Sequence, residues 1–470
     1  MRLRVGTVLL LWAWVASAEP LTLPQLIEKA RANDHRVKEA SAQLRYLKSK
    51  YQEAKWAWFP RVDSYFAVAG PMPEARNDGL GGPPTTEATI QYDLNFGQPG
   101  VMFRAGAEAV LPIWTFGKLD ALEEAGAKGV VLGESLATRA RDEAEMQVAQ
   151  AYYGYCFAQE AREVIVQARK QLADARVTLE RLREQNSEQV TQMDFYKFDY
   201  FKAQVESQIS AAESGRNLAL AAIRLLIALP ENEPLEIAVE PLQPLAGSLL
   251  PIDAYMSQVK ANRPELKAIE AGIAVREQEV IIRERFYYPD FGIAGFVRWM
   301  WTTSATRQKS PFAYDPYNDA SGGVALVARY QWDFPQKGAA LEQARAELEK
   351  LQHQRDLLGA AVRLEVEKAW NQTNDAMLRA TQQAQAEKSA RKWVTAAYAA
   401  FDVGTGNTRD LVDAFSALAL SSAARVQAVH DSQVGLRTMT RAMGVNAALT
   451  TVTESPKPLP AKLVPLASDR

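Results

Sequence analysis

Four stretches of the chain alternate apolar and polar residues one by one. From Val101 to Leu111 the odd positions are Val101, Phe103, Ala105, Ala107, Ala109 and Leu111, with Arg104, Gly106 and Glu108 between them. From Phe291 to Trp301 the odd positions are Phe291, Ile293, Gly295, Val297, Trp299 and Trp301, with Arg298 on the other face and Asp290 just before. From Val324 to Phe334 the even positions are apolar, and Arg329, Gln331 and Asp333 face opposite. A weaker case runs from Arg61 to Gly70. A period of two predicts strands with one apolar face. Segments of about ten residues with this pattern match transmembrane β-strands, although a sheet with one face in water shows the same alternation.

The rest of the pattern is helical. The stretches from about Lys118 to Arg183 and from about Ala339 to Phe401 contain no Pro and are rich in Ala, Glu, Lys, Arg, Leu and Gln. Leu341, Leu348, Leu351 and Leu358 fall at heptad spacing. Such runs predict helices of roughly 90 Å, too long for a compact domain and suited to a coiled coil. Shorter helices are predicted from about Pro24 to Phe59 and from about Ile252 to Tyr288, each ending before a Pro.

The order of these elements repeats. Ala32-Asn33-Asp34-His35-Arg36-Val37-Lys38 returns as Ala261-Asn262-Arg263-Pro264-Glu265-Leu266-Lys267, and Phe59-Pro60 returns at the same offset as Tyr288-Pro289. Trp114-Thr115-Phe116 returns at a shorter offset as Trp332-Asp333-Phe334. An internal duplication with one loop of different length explains all three. The expected organisation is a signal peptide over 1–18, a first repeat over 19–230, a Pro-rich segment over 231–251, a second repeat over 252–444 and a Pro-rich tail over 445–470. The signal is read from Arg2 and Arg4, the apolar run Val5 to Val15 and the small residues Ala16-Ser17-Ala18.

Composition narrows the classes. Lys plus Arg is 54, Asp plus Glu is 56 and the net charge is −2, which is not the basic balance of a nucleic-acid binder. The one cysteine, Cys156, excludes an intrachain disulfide, and three histidines (His35, His353, His430) leave little for metal chemistry. His353, His430 and Cys156 read as solvated or packed side chains. No Walker loop, H-E-x-x-H or G-x-S-x-G is present, so an enzyme is not expected, nor a cofactor. No later apolar run spans a bilayer as a helix, so an exported chain that crosses a membrane does so as a barrel. Aromatic residues gather where strands meet helices (Trp56, Trp58, Phe59, Trp114, Phe116, Tyr287, Tyr288, Trp332), as at a membrane–water boundary. The loops of about 71–99 and 302–321 are rich in Pro, Gly, Asn and Asp, as extracellular loops are. Four strands cannot close a membrane barrel, so several chains must contribute; spacing alone admits two or three.

From Leu21 to about Gly444 the chain resembles the TolC-like outer-membrane efflux proteins. The most specific element is Val403-Gly404-Thr405 followed by Asp410-Leu411-Val412-Asp413-Ala414, similar to that family's turn between its last two long helices. The resemblance implies a mainly α fold with transmembrane β. It implies a homotrimeric 12-stranded barrel that continues into a long periplasmic α-helical barrel of coiled-coil hairpins. The implied function is the passive exit duct of a tripartite efflux or type I secretion system in the outer membrane of a Gram-negative bacterium. Its partners would be outer-membrane lipid, a periplasmic adaptor and an inner-membrane transporter. By the same resemblance Asp410 and Asp413 form the pore constriction, while Val403, Gly404 and Thr405 face the adaptor. Asp194, Phe401 and Arg409 are candidate gate contacts. Bottom-up, Asp410 and Asp413 share one helix face, and Asn407 as N-cap would place Asp410 where a negative charge is favourable.

The chain also departs from the family. Gly406 stands where the best-known member has an Arg that helps hold the channel closed, and Phe401 stands where it has a Tyr. The first-repeat turn, 184–190, lacks the family's Val-Gly. The competing class is a soluble periplasmic coiled-coil chaperone or tether, against which the strand alternation and interfacial tryptophans argue.

Overall fold

A computed structural model describes residues 20–72, 99–184, 191–307, 315–403, 405–406 and 408–444. The signal, the Pro-rich tail, most of both strand-to-strand loops, and Gly404 and Asn407 lie outside them. The elements are α1 (Leu23–Asn33), α2 (His35–Lys55), β1 (Arg61–Met72), β2 (Gly100–Trp114), α3 (Lys118–Glu184), α4 (Gln192–Leu226), α5 (Ile252–Asn262), α6 (Pro264–Arg285), β3 (Asp290–Thr302), β4 (Asp319–Arg329), α7 (Phe334–Asp402) and α8 (Thr408–Met443). At 67 and 69 residues, α3 and α7 are each about 100 Å long. Among the described residues no helix is long and apolar enough to cross a membrane.

The chain forms two units, each drawing on both halves of the sequence. One comprises Leu44–Gly133 and Ile269–Gln354 and holds the sheet. Its strands pair antiparallel in the order β1-β2-β3-β4, which leaves β1 and β4 each with an open edge. Register aligns the alternation across strands: Phe66 faces Ala105, Ala105 faces Trp299 and Trp299 faces Ala320. Two residues along, Ser64, Ala107, Val297 and Gly322 form the next row. The apolar positions of all four strands thus share one face, and that face is open: Val324, Leu326 and Phe66 are 79%, 75% and 67% exposed.

The other unit comprises Met1–Gln43, Glu134–Ala268 and Arg355–Arg470. Its larger core gathers Leu26 and Ala30 of α1, Val148, Tyr152 and Cys156 of α3, Ile223 of α4 and Val426 and Val429 of α8. Each fully buried aliphatic side chain there contributes about 2 kcal/mol. Cys156 is a packed thiol whose pKa burial raises. A smaller core joins Tyr255 and Val259 of α5 to Val366 of α7 and Met439 of α8. The segment between α4 and α5 is tied down at several points: Leu21 forms a parallel bridge with Ile237, Tyr152 donates to the Ala238 carbonyl (3.1 Å) and the Trp370 indole to the Leu250 carbonyl (2.9 Å).

Three expectations from the sequence need correcting. The helix predicted from Pro24 to Phe59 is two helices, α1 and α2, and ends at Lys55. Asp34 breaks it: its N–H caps Ala30, while its carboxylate accepts the Arg36 N–H at 2.8 Å and so starts α2. The helix predicted from Ile252 to Tyr288 likewise splits into α5 and α6 and ends at Arg285, because Pro264 has no N–H to continue α5. Finally, the strand predicted from Val324 to Phe334 is displaced to Asp319–Arg329, and α7 starts at Phe334 rather than Ala339. Lys337 organises that junction. Its ammonium pairs with Asp333 (3.0 Å), donates to the Gln331 carbonyl and lies 4.4 Å from the centre of the Tyr330 ring. Pro335 fits the first helical turn, where no donor is needed.

Candidate functional site

Two surfaces carry chemistry, and each belongs to one unit. The first is the polar face of the sheet. One row across it reads Asp63, Glu108, Phe296 and Gly323; the next reads Tyr65, Gly106, Arg298 and Ser321; a third reads Ala67, Arg104, Met300 and Asp319. Carboxylates and guanidiniums therefore occupy successive rows of a face that carries few large aliphatics. The Arg298 guanidinium lies 4.7 Å from the Phe296 ring centre, and Arg104 Nε donates to the Met102 sulfur at 3.0 Å. Glycine at 106 leaves room for the Tyr65 ring, which a Cβ there would meet at 2.6 Å. A face with water-compatible groups backed by an apolar face is the arrangement that a wall between water and lipid requires.

The second surface is the pair of hairpin ends. α7 closes as Thr405 N–H and Gly406 N–H both donate to the Ala400 carbonyl, at 3.0 and 2.8 Å. A Cβ at Gly406 would lie 2.7 Å from the Phe401 nitrogen, so this turn admits no side chain there without moving. An arginine at this position would therefore require the backbone of the turn to shift. Val403 is 78% exposed at the tip, Thr405 is exposed beside it, and Gly404 lies outside the described residues.

Asp410 sits in the first turn of α8, where the helix dipole favours a carboxylate. Leu411, Val412 and Ala414 turn inward and are buried, while Arg409, Asp410 and Asp413 are exposed. Burial of the intervening residues thus fixes which face of α8 presents the two carboxylates. At the other hairpin, α4 starts with a reciprocal cap. Asp194 Oδ2 accepts both the Thr191 N–H and the Thr191 hydroxyl at 2.8 Å. Among the described residues no hydrogen bond or ion pair joins Asp194 to Phe401 or Arg409. The Thr-x-x-Asp spacing of 191–194 is the sequence signal for that cap. Phe401 is half-buried in the last turn of α7.

What the sequence reading missed is a set of buried ion pairs. Glu387 of α7 is 6% exposed and accepts from Arg391 (2.6 Å), and its other oxygen accepts from Arg425 of α8 (2.5 Å). Burial pushes its carboxyl pKa up, but the Arg391 and Arg425 contacts and a Ser422 hydrogen bond outweigh burial and hold it low. Arg263 at the α5–α6 break is buried, pairs with Glu365 and donates to the Arg441 carbonyl at 2.8 Å. Among the described residues no cluster of three or more His, Cys, Asp or Glu could hold a metal ion.

Residues 255–445 match the family model described as outer membrane efflux protein. No curated protein matches the chain by sequence. Solved structures do match it by shape. The Campylobacter jejuni CmeC outer membrane channel superposes with a TM-score of 0.73 at 12% identity, over 90% of this chain and 85% of that one. The open state of the Neisseria gonorrhoeae MtrE outer membrane channel gives 0.71 at 15% identity, over 90% and 89%. The outer membrane protein VceC of Vibrio cholerae gives 0.70 at 15% identity, over 90% and 96%.

Proposed function

We propose that this chain, which is TolC-like in its fold and in the family its second half matches, is the outer-membrane exit duct of a tripartite efflux or type I secretion system. It conducts substrates passively and performs no chemistry on them. The observation that carries this reading is the four-stranded sheet with one continuous apolar face and two open edges. A single chain supplies part of a wall. Three copies, each pairing β4 with the β1 of the next, give twelve strands and no edge. The long hairpins α3–α4 and α7–α8 then form the periplasmic extension, which a periplasmic adaptor and an inner-membrane transporter engage. On this reading Val403, Gly404 and Thr405 face the adaptor, and Asp194, Phe401 and Arg409 lie around the gate.

Three-fold symmetry brings Asp410 and Asp413 of all copies around one axis, and such a carboxylate ring attracts cations and repels anions. The test has two arms. Light scattering in detergent should give the mass of three chains, and a stable monomer with full β signal would sink the duct. Single channels in planar bilayers should be cation-selective and blocked by a trivalent cation from the periplasmic side. Asp410→Ala with Asp413→Ala should weaken both effects and leave the trimer intact; unchanged selectivity returns the two residues to helix-end chemistry.

The alternative, a soluble coiled-coil tether, is disfavoured by that exposed face of Val324, Leu326, Phe66 and Val297. It predicts extraction from cells without detergent.

A further inference from the structure

Where β2 runs into α3 there is a cleft of about 410 Å³, lined among others by Lys55, Trp58, Trp114, Phe116, Asp120 and Glu123. Two backbone irregularities shape it. A bulge in β2 sets Trp114, rather than Ile113, opposite Phe291. Phe116 then has φ of 54°, a left-handed conformation that a bulky residue adopts only under strain. Strain of this kind concentrates at sites with a use. Here it turns the chain so that Trp114 meets Phe116 edge-on at 5.9 Å. Across the cleft Trp58 stacks on Trp56 at 5.9 Å. Trp58 and Trp114 are 52% and 59% exposed, so a ligand can reach their rings.

The charges are arranged in two poles. Asp120 and Glu123 are three residues apart on α3 and share a face. Lys55 ends α2. Among the described residues none of these three is in an ion pair, although many of the surrounding helix charges are. The apolar face of the sheet begins beside the cleft, at Leu111 and Phe291.

We propose that this cleft binds the head group of a zwitterionic phospholipid carrying a primary ammonium. The inference rests on the sheet lying in a membrane. The ammonium sits against the indole faces and hydrogen-bonds Asp120 and Glu123. Lys55 takes the phosphate, and the acyl chains follow the apolar face of the sheet. An anionic glycerol head group has only neutral hydroxyls to donate to the carboxylates and brings no cation for them or for the rings. A choline head group can meet the rings but cannot donate to Asp120 or Glu123.

The test uses the full-length protein in nanodiscs containing phosphatidylethanolamine, phosphatidylglycerol and phosphatidylcholine in equal parts. After re-extraction, retained lipids are counted by native mass spectrometry. The wild type should hold the ethanolamine lipid enriched about fivefold over each of the other two, the scale of one net hydrogen bond to the carboxylates over choline and of one cation–π contact over glycerol. Asp120→Asn with Glu123→Gln should remove the preference over choline, and Trp58→Ala with Trp114→Ala should return all three lipids to bulk proportions. If the tryptophan variant does not fold, the near-isosteric carboxylate variant decides alone. A wild-type ratio equal to bulk, or a ratio unmoved by the carboxylate variant, overturns the proposal. Assembly is read in the same samples. A chain that enters nanodiscs as a trimer but shows no preference overturns the lipid site alone, whereas one that does not enter overturns the duct with it.

Discussion

Asp34 and Glu387 are carboxylates kept ionised by arginines. Burial pushes the Asp34 pKa up, but the side-chain and backbone hydrogen bonds of Arg36 outweigh burial and hold it low, as Arg391 and Arg425 do for Glu387. A carboxyl whose folded pKa lies below its unfolded one stabilises the fold above the unfolded value. That contribution is lost as pH falls through the folded one. The thermal midpoint in detergent should therefore drop on acidification below about pH 4. Asp34→Asn with Glu387→Gln should flatten the drop, and an unchanged profile would remove both from the account. Glu387→Ala strands two guanidiniums, one of them half in water, and should cost about 2 kcal/mol. Asp142 has the opposite sign: burial first, then the charges of Glu145 and Glu265, raise its pKa. Asp142→Asn should thus stabilise the protein slightly at neutral pH. None of these pairs was legible in the sequence. Arg425 lies 38 residues from Glu387, and although Arg36 and Arg391 are only two and four residues from their carboxylates, a charged residue on a long helix normally reads as a solvated one. Asp194 was read in the sequence only as a family position; the geometry displays a cap that the Thr191-to-Asp194 spacing also encodes, and the gate stays a proposal.

At the scale of elements, the strand register makes a sharp claim. Ala105 and Val297 lie on the apolar face, whereas Arg104 and Arg298 lie on the polar one. Ala105→Arg or Val297→Arg should cost roughly 2–4 kcal/mol at the bilayer midplane. Arg104→Ala or Arg298→Ala should assemble nearly normally. Equal outer-membrane yields for the two kinds of variant would mean that the faces are assigned the wrong way round. The alternation itself was readable because a period of two sustained over about ten residues marks a strand, though not where the strand stops. Element ends were not. Ala32-Asn33-Asp34-His35 contains no Pro or Gly, so nothing local announces the break at Asp34; it becomes visible only when the Asp34 carboxylate is seen to cap α2. At the end of β4 the alternation runs on through Tyr330 and Trp332, but Lys337 folds back on that stretch and starts the helix early. The bulge at Ile113 has a sequence signal in Pro112, which cannot donate within a central strand, but the cleft that it opens has none.

For the whole molecule, the open edges of β1 and β4 have a consequence for dosage. If three copies close the barrel as proposed, no chain owns a finished pore, and the amount of pore rises more steeply than the amount of chain at low expression. A damaged copy also spoils its neighbours. If wild-type chains and Ala105→Arg chains are made in equal numbers and mix freely, only roughly one trimer in eight is wholly wild type. Conductance or trimer yield should then fall far below half, and a fall to just one half would mean that copies sort before they join. In genetic terms, a lesion in the barrel wall should be dominant.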